Sequence, residues 1–123
     1  MLLLDTSFLI QFEAEVAGRR VGPATTLLKA YRASPAAVSI VAFGEFAEGF
    51  SNPLALGEFL RPFRVLQLSH SIAWRAAQLQ ASLPRRLGEN DAWIAATALA
   101  YGATLVARER AFNRVPRLDC LSF

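Results

Sequence analysis

Four acidic positions stand where an α/β chain gathers reactive groups. Asp5 follows the apolar run Leu2–Leu4, which reads as a strand, so its carboxylate is expected at the carboxyl edge of a sheet. Glu109 stands in the same relation to the strand-like Thr104–Val106. Asp91 falls in Gly88-Glu89-Asn90-Asp91, at the start of a segment apolar on nearly all sides. Glu45 and Glu48 share the polar side of an amphipathic helix, and periodicity does not choose between them. Each acid has an ordinary structural use. Asp is a preferred helix cap, an acid in a first helical turn suits the helix dipole, and Arg108-Glu109-Arg110 fits a surface charge cluster. Their joint placement points to chemistry. Carboxylates converging on one rim raise each other's pKa, and a hard cation relieves that conflict. Carboxylates with water are the ligand set of Mg²⁺ or Mn²⁺. Such a centre suits phosphodiester hydrolysis, in which a cation polarises a phosphoryl oxygen, activates water and stabilises the leaving oxygen.

The elements that must position these acids follow from the hydrophobic pattern. Thr6 and Ser7 are expected to cap a helix running through Phe8, Leu9, Ile10 and Phe12, with a loop over Ala17–Pro23. A helix is expected over Ala24–Arg32 and a strand over Ala37–Ile40. In Val41–Phe50, Phe43, Phe46, Ala47 and Phe50 recur at i, i+3, i+4 and i+7 and make one apolar helical face. Asn52-Pro53 breaks that helix before another over Leu54–Leu60, and Arg64–Leu68 has strand character. Ser69 or Ser71 opens the next helix, with Ile72, Ala76, Leu79 and Leu83 as its buried stripe. Pro84–Gly88 is a basic break, Glu89–Tyr101 a buried helix, and Gly102 its end. Thr104–Val106 reads as a strand, Glu109–Phe112 as a short helical turn, and Leu118–Leu121 as a last strand. Short apolar strands alternating with helices predict an α/β domain with a mostly parallel sheet covered on both faces.

Composition narrows the chemistry. At 123 residues the chain fits one domain, 1–123, with a sizeable core. One Cys and one His exclude a disulfide framework and the usual His/Cys metal sets, and leave only His70 for a catalytic triad. His70, between two serines, reads as exposed; Cys120 and Trp93 read as core, and Trp74 as core or interface. The apolar start lacks a basic flank and is interrupted by Asp5, so no secretory signal or membrane span is expected, and the chain reads as cytoplasmic. Hydrophobic residues make up 54% of the chain, more than a monomer's core needs, so a second chain is expected to cover part of the surface. Without Asp5, Glu45, Asp91 and Glu109, thirteen basic residues face six acidic ones, a balance that attracts a phosphate backbone. Arg85, Arg86, Arg108, Arg110 and Arg114 are the candidate contacts on the rim.

Four blocks then resemble the PIN-domain family. They are Leu2-Leu3-Leu4-Asp5-Thr6-Ser7-Phe8-Leu9-Ile10; Ser39-Ile40-Val41-Ala42-Phe43-Gly44-Glu45-Phe46; Asn90-Asp91-Ala92-Trp93-Ile94-Ala95-Ala96-Thr97-Ala98-Leu99; and Leu105-Val106-Ala107-Arg108-Glu109-Arg110-Ala111-Phe112 with Val115-Pro116. Their order spans almost the whole chain, the third block is the most specific, and the length is similar to that of the single-domain toxins of VapBC pairs. The resemblance implies an α/β/α sandwich, a Mg²⁺- or Mn²⁺-dependent endoribonuclease acting as a toxin, a homodimer, and inhibition by a VapB-like antitoxin. It selects Glu45 over Glu48 and matches Asp5, Glu45 and Asp91 to the family's acidic positions, as metal ligands and catalytic groups. It also implies that Ser7 orients Asp5. The fourth block departs from the family's pattern. Ala107 stands where Thr or Ser is common and Glu109 where Asp or Asn is common, so Glu109 ranks below the other three acids.

Two other functions remain in view. A catalytically inactive PIN-like domain would serve as a nucleic-acid or protein interaction module. An aspartate-based phosphotransferase or phospho-receiver would also end its first strand in Asp. It wants either a second Asp where Ser7 stands, or paired acids early and a Lys after a late strand; the single Lys is Lys29.

Overall fold

The computed structural model describes residues 1–123. Five short strands form one sheet: β1 (Leu2–Leu4), β2 (Ala36–Ser39), β3 (Arg64–Leu66), β4 (Thr104–Val106) and β5 (Cys120–Leu121). Their order across the sheet is β3-β2-β1-β4-β5, and every neighbouring pair is parallel. The expectation of a mostly parallel sheet thus holds in its strictest form. β1 lies at the centre, with Leu3 opposite Ala37 on one side and Leu105 on the other. All three of its leucines are buried, as a strand covered on both faces requires.

Six helices cover the sheet: α1 (Thr6–Ala17), α2 (Pro23–Ala30), α3 (Ile40–Ala47), α4 (Pro53–Leu60), α5 (His70–Ser82) and α6 (Glu89–Tyr101), followed by a 3-10 turn over Arg110–Arg114. The chain steps outward from β1 to β2 to β3, then returns through α5 and α6 to β4 on the other flank of β1. That reversal opens a crevice at the carboxyl end of β1, where open parallel sheets take their ligands.

The core joins Leu3, Leu4, Phe8 and Leu9 to Val38, Phe46, Leu66, Ile94, Leu105 and Phe112. Full burial of such a side chain contributes about 1.5–3 kcal/mol. An aromatic chain runs through Phe12, Phe59, Phe46 and Phe50, with ring centroids 5.1–5.5 Å apart, and ties α1, α3 and α4 together. Helix α6 is buried nearly all round because small residues line it: Ala92, Ala95, Ala96 and Ala98 are at or near zero exposure. Gly102 ends it in the left-handed region at φ 60°, and the Ala103 N–H donates to the Ala98 carbonyl 2.9 Å away.

Several boundaries differ from expectation. Asp5, not Thr6 or Ser7, occupies the cap position of α1, and both hydroxyl residues lie inside the helix. The predicted strand Ala37–Ile40 shifts to Ala36–Ser39, because the Ser39 side chain accepts from the Ala42 N–H and starts α3 at Ile40. Helix α3 stops at Ala47, short of Phe50, and α2 spans Pro23–Ala30 with Pro23 as its first residue. Strand β3 ends at Leu66 and β5 holds only Cys120 and Leu121. Leu83 and Cys120 are half-buried, His70 is exposed, and Trp74 is 66% exposed on α5, so Trp74 is no core residue. Trp93 is half-buried and packs on a small cluster of Ile72, Ala76 and Ala96, apart from the main core.

Candidate acidic site

The parallel sheet puts every strand's carboxyl end on one edge, and that edge assembles the site. Asp5 leaves β1 and is 94% buried, with its N–H donating to the Val106 carbonyl of β4. Its side chain makes no capping hydrogen bond to α1, so the capping alternative fails. It accepts instead from the Ser7 hydroxyl at 3.0 Å. Burial raises the Asp5 pKa, Glu45 adds repulsion, and the nearby N–H groups of Thr6 and Ser7 with the Ser7 hydroxyl pull it partly back.

Asp91 sits in the first turn of α6, half-buried. Its pKa is pushed up to about 6, first by burial and then by the charges of Asp5, Glu109 and Glu45. Asp5, Glu109 and Glu45 therefore all act on Asp91, and Glu45 also acts on Asp5. None has a basic partner: the molecule's one ion pair is Arg61 with Glu58, on the exposed side of α4. Glu45 faces an open recess of about 480 Å³ with Gly88, Glu89, Asn90 and Asp91. Its Oε1 accepts from the Thr6 hydroxyl at 2.6 Å and its Oε2 from the Asn90 amide at 3.2 Å. Glu48 caps the far end of α3, exposed and without a partner in the recess, so geometry separates the two glutamates that periodicity could not.

Glu109 is exposed, and its Oε1 accepts from the Ala111 N–H at 3.0 Å, capping the 3-10 turn. It is close enough to Asp91 to raise that pKa, yet part of its carboxylate is engaged by the backbone. Ser7 links the two halves of the rim: its oxygen donates to Asp5 Oδ2 and accepts from the Arg108 N–H at 3.3 Å. The loop carrying Glu109 is thus tied to the first acid without a hydroxyl at position 107, where Ala107 is buried.

The basic candidates divide. Arg85, Arg86, Arg108 and Arg110 are exposed. Arg86 lies in a groove with Glu89 and Trp93 between α5 and α6. Arg108 stacks on the Phe123 ring, 4.4 Å from its centroid. Arg114 departs from expectation: it is half-buried, and its Nη1 donates to the Arg85 carbonyl at 2.7 Å, so it braces the loop before α6 and is less free to reach out than the other four.

The donor set fits a hard divalent cation. It is all oxygen, its acids lack counter-charges, and the pKa values of Asp5 and Asp91 rise, first through burial and then through their like-charged neighbours. No three acidic side chains already form a closed shell, so a cation would have to draw them together. Comparison with known proteins agrees with this fold. The PIN domain family model matches residues 2–118.

The chain belongs to the PIN domain family.

No curated protein sequence matches this PIN domain. Among solved structures it is similar to a toxin–antitoxin complex from Klebsiella pneumoniae, at 26% identity and TM-score 0.72 over 89% of this chain and 88% of that one. It also resembles VapBC2 from Rickettsia felis, solved with a DNA fragment from their promoter, at 20% identity and TM-score 0.81 over 99% of this chain and 98% of that one. VapBC-1 from nontypeable Haemophilus influenzae is similar at 22% identity and TM-score 0.73, over 98% and 96% of the two chains. No helix of this PIN domain is long and apolar enough to cross a membrane.

Two residues of the rim go beyond their sequence signal: the sequence marks Asn90 only as part of a motif and Thr6 only as a cap. Glu15 was missed altogether. It follows Phe8 and Phe12 at i+7 and i+3 spacing, which puts it on the buried face of α1.

Proposed function

We propose that this PIN domain is a Mg²⁺- or Mn²⁺-dependent endoribonuclease of the VapC type, the toxin of a toxin–antitoxin pair. The observation that carries the reading is the meeting of Asp5, Glu45, Asp91 and Glu109 at one sheet edge with no basic partner. Asp5, Glu45 and Asp91 would hold the cation, with Glu109 as a further ligand. Bound there, the cation would supply polarisation of a phosphoryl oxygen and activation of a water. The residues' own part is to keep charge in place. Burial and Ser7 fix Asp5. The first turn of α6 presents Asp91 at the recess. Arg85, Arg86, Arg108 and Arg110 would receive the RNA backbone around the acidic centre.

A partner chain suits the exposed apolar surface. Ile10 is 58% exposed beside a recess with Phe46, Phe50 and Glu45, a wall on which a segment of a VapB-like antitoxin would close over the acids. Trp74 at 66% and Leu54 at 78% exposure support a homodimer. One observation favours the other reading, an inactive interaction module: the Glu109 carboxylate is partly spent on a cap, and no closed ligand shell stands ready.

The deciding experiment is cleavage of single-stranded RNA with Mg²⁺ or Mn²⁺ by the wild-type protein and by Asp5→Asn. The nuclease reading expects cleavage by the first, none with EDTA, and a loss of at least about 100-fold in the second. No cleavage by either favours the module, and equal cleavage by both would remove Asp5 from the mechanism.

A further inference from the structure

We infer that Thr6 and Asn90 are positioning residues that hold the Glu45 carboxylate at the recess before a cation binds. The inference rests on the cation reading above and adds two residues to it.

A threonine hydroxyl inside a helix normally turns back to the carbonyl one turn earlier. Thr97, within α6, does so, donating to the Trp93 carbonyl at 2.8 Å. Thr6 is the first residue of α1 and has no preceding turn to satisfy. Its hydroxyl reaches Glu45 instead, 39 residues away in sequence, at 2.6 Å. That separation is at the short end of the range for a hydroxyl donating to an oxygen. Asn90 follows the same logic from the other side. It is the second residue of α6, exposed, and its amide spans 45 residues to the second oxygen of Glu45.

The two donors are the immediate neighbours of the other principal acids: Thr6 follows Asp5, and Asn90 precedes Asp91. The backbone that delivers each acid therefore also delivers a neutral donor aimed at the third. Both Glu45 oxygens are engaged, one by each helix start. A side chain with three rotatable bonds on a half-exposed helix face would otherwise sample several rotamers, and its like-charged neighbours would drive it outward into solvent. Two donors restrain it without adding charge, so the site stays negative enough for a divalent cation. Arginine or lysine at either position would hold Glu45 as well and would occupy the cation's place.

The test is Mn²⁺ binding by isothermal titration, on the wild-type protein, Thr6→Val, Thr6→Ser and Asn90→Ala, with melting curves in EDTA as the fold control. Groups that orient metal ligands are typically worth 10- to 100-fold in metal affinity. Thr6→Val and Asn90→Ala are each expected to weaken Mn²⁺ about tenfold, while Thr6→Ser, which keeps the hydroxyl, stays within about threefold of wild type. Rescue by serine separates the hydrogen bond from the packing of the threonine methyl. If Thr6→Val fails to fold, Asn90→Ala at its exposed position carries the test. Wild-type affinity in both Thr6→Val and Asn90→Ala, or an equal loss in Thr6→Ser and Thr6→Val, overturns the inference and leaves the cation reading standing. A wild-type protein that takes up no Mn²⁺ overturns both.

Discussion

Neutralising Asp91 should stabilise the metal-free protein. Its carboxyl pKa rises from 3.8 to about 6, with burial first among the causes and Asp5, Glu109 and Glu45 following. At about 1.4 kcal/mol per unit, that shift is worth about 3 kcal/mol at face value. Asp91 is partly open to water, and screening reduces the figure to about 1–2 kcal/mol. Asp91→Asn also removes a charge that the N-terminus of α6 favours, at about 0.5 kcal/mol. A net gain of about 1 kcal/mol remains, equivalent to about 3–5 °C in Tm for a chain of this size. The sign with pH follows from linkage. The folded protein keeps the Asp91 proton up to about pH 6, whereas the unfolded chain loses it near 3.8. The stabilising contribution is complete below 3.8 and disappears as pH rises through 6. Asp91→Asn should therefore melt higher than wild type at pH 7.5 in EDTA, and the gap should narrow toward pH 4.5. Saturating Mn²⁺ should reverse the order, since a ligand at 100 times its Kd adds about 2.7 kcal/mol to the form that binds it. Differential scanning fluorimetry at these pH values, with EDTA or Mn²⁺, reads all of this. A lower Tm for Asp91→Asn in EDTA at pH 7.5 would refute the claim that crowded like charges strain the rim.

Three further substitutions test the junction of α1 with α2 and the support of the rim. Glu15 is wholly buried, and burial alone would raise its pKa; the Thr25 hydroxyl, the Gln11 amide and the N–H groups of Thr25 and Ala24 outweigh this and hold it at about 2. Glu15→Ala leaves the first N–H groups of α2 unpaired, so urea denaturation should show a loss of about 3 kcal/mol; a loss under about 1 would mean that water replaces the carboxylate. The same group predicts acid behaviour: its contribution is full above 4.5 and vanishes as pH falls through about 2, so Glu15→Gln should flatten acid unfolding in that range. Ser7→Ala frees both Asp5 and the loop bearing Glu109, and RNA cleavage should slow 10- to 100-fold while stability changes by only about 1 kcal/mol. An unchanged cleavage rate would show that the Ser7 bridge is dispensable.

The fold was legible where a period or a punctuating residue marks it. The apolar run Leu2–Leu4, the helix Glu89–Tyr101 and its stop at Gly102 match the structure residue for residue. At Ser39 a side chain inside the apolar run caps the next helix, so the strand ends one residue before the hydrophobic pattern does. Pro23 falls in the expected loop yet serves as the first residue of α2, a position that suits proline.

The site was legible as charge and illegible as hydrogen bonding. An acid after a strand is fixed in space by the strand, so Asp5 and Glu109 could be placed on one edge before any coordinates. A helix-borne acid is fixed only to within a face, which is why Glu45 and Glu48 could not be separated by periodicity. What distinguishes them is Thr6 and Asn90, whose donors come from two other elements 39 and 45 residues away in sequence. No local pattern carries that information, because the partners become neighbours only after the sheet reverses at β1. Glu109 shows the converse. Its position was readable, but the N–H of Ala111 two residues on competes for its carboxylate. That competition is a property of the turn's backbone, and it makes Glu109→Gln the replacement that should weaken Mn²⁺ least when Asp5→Asn, Glu45→Gln, Asp91→Asn and Glu109→Gln are titrated side by side.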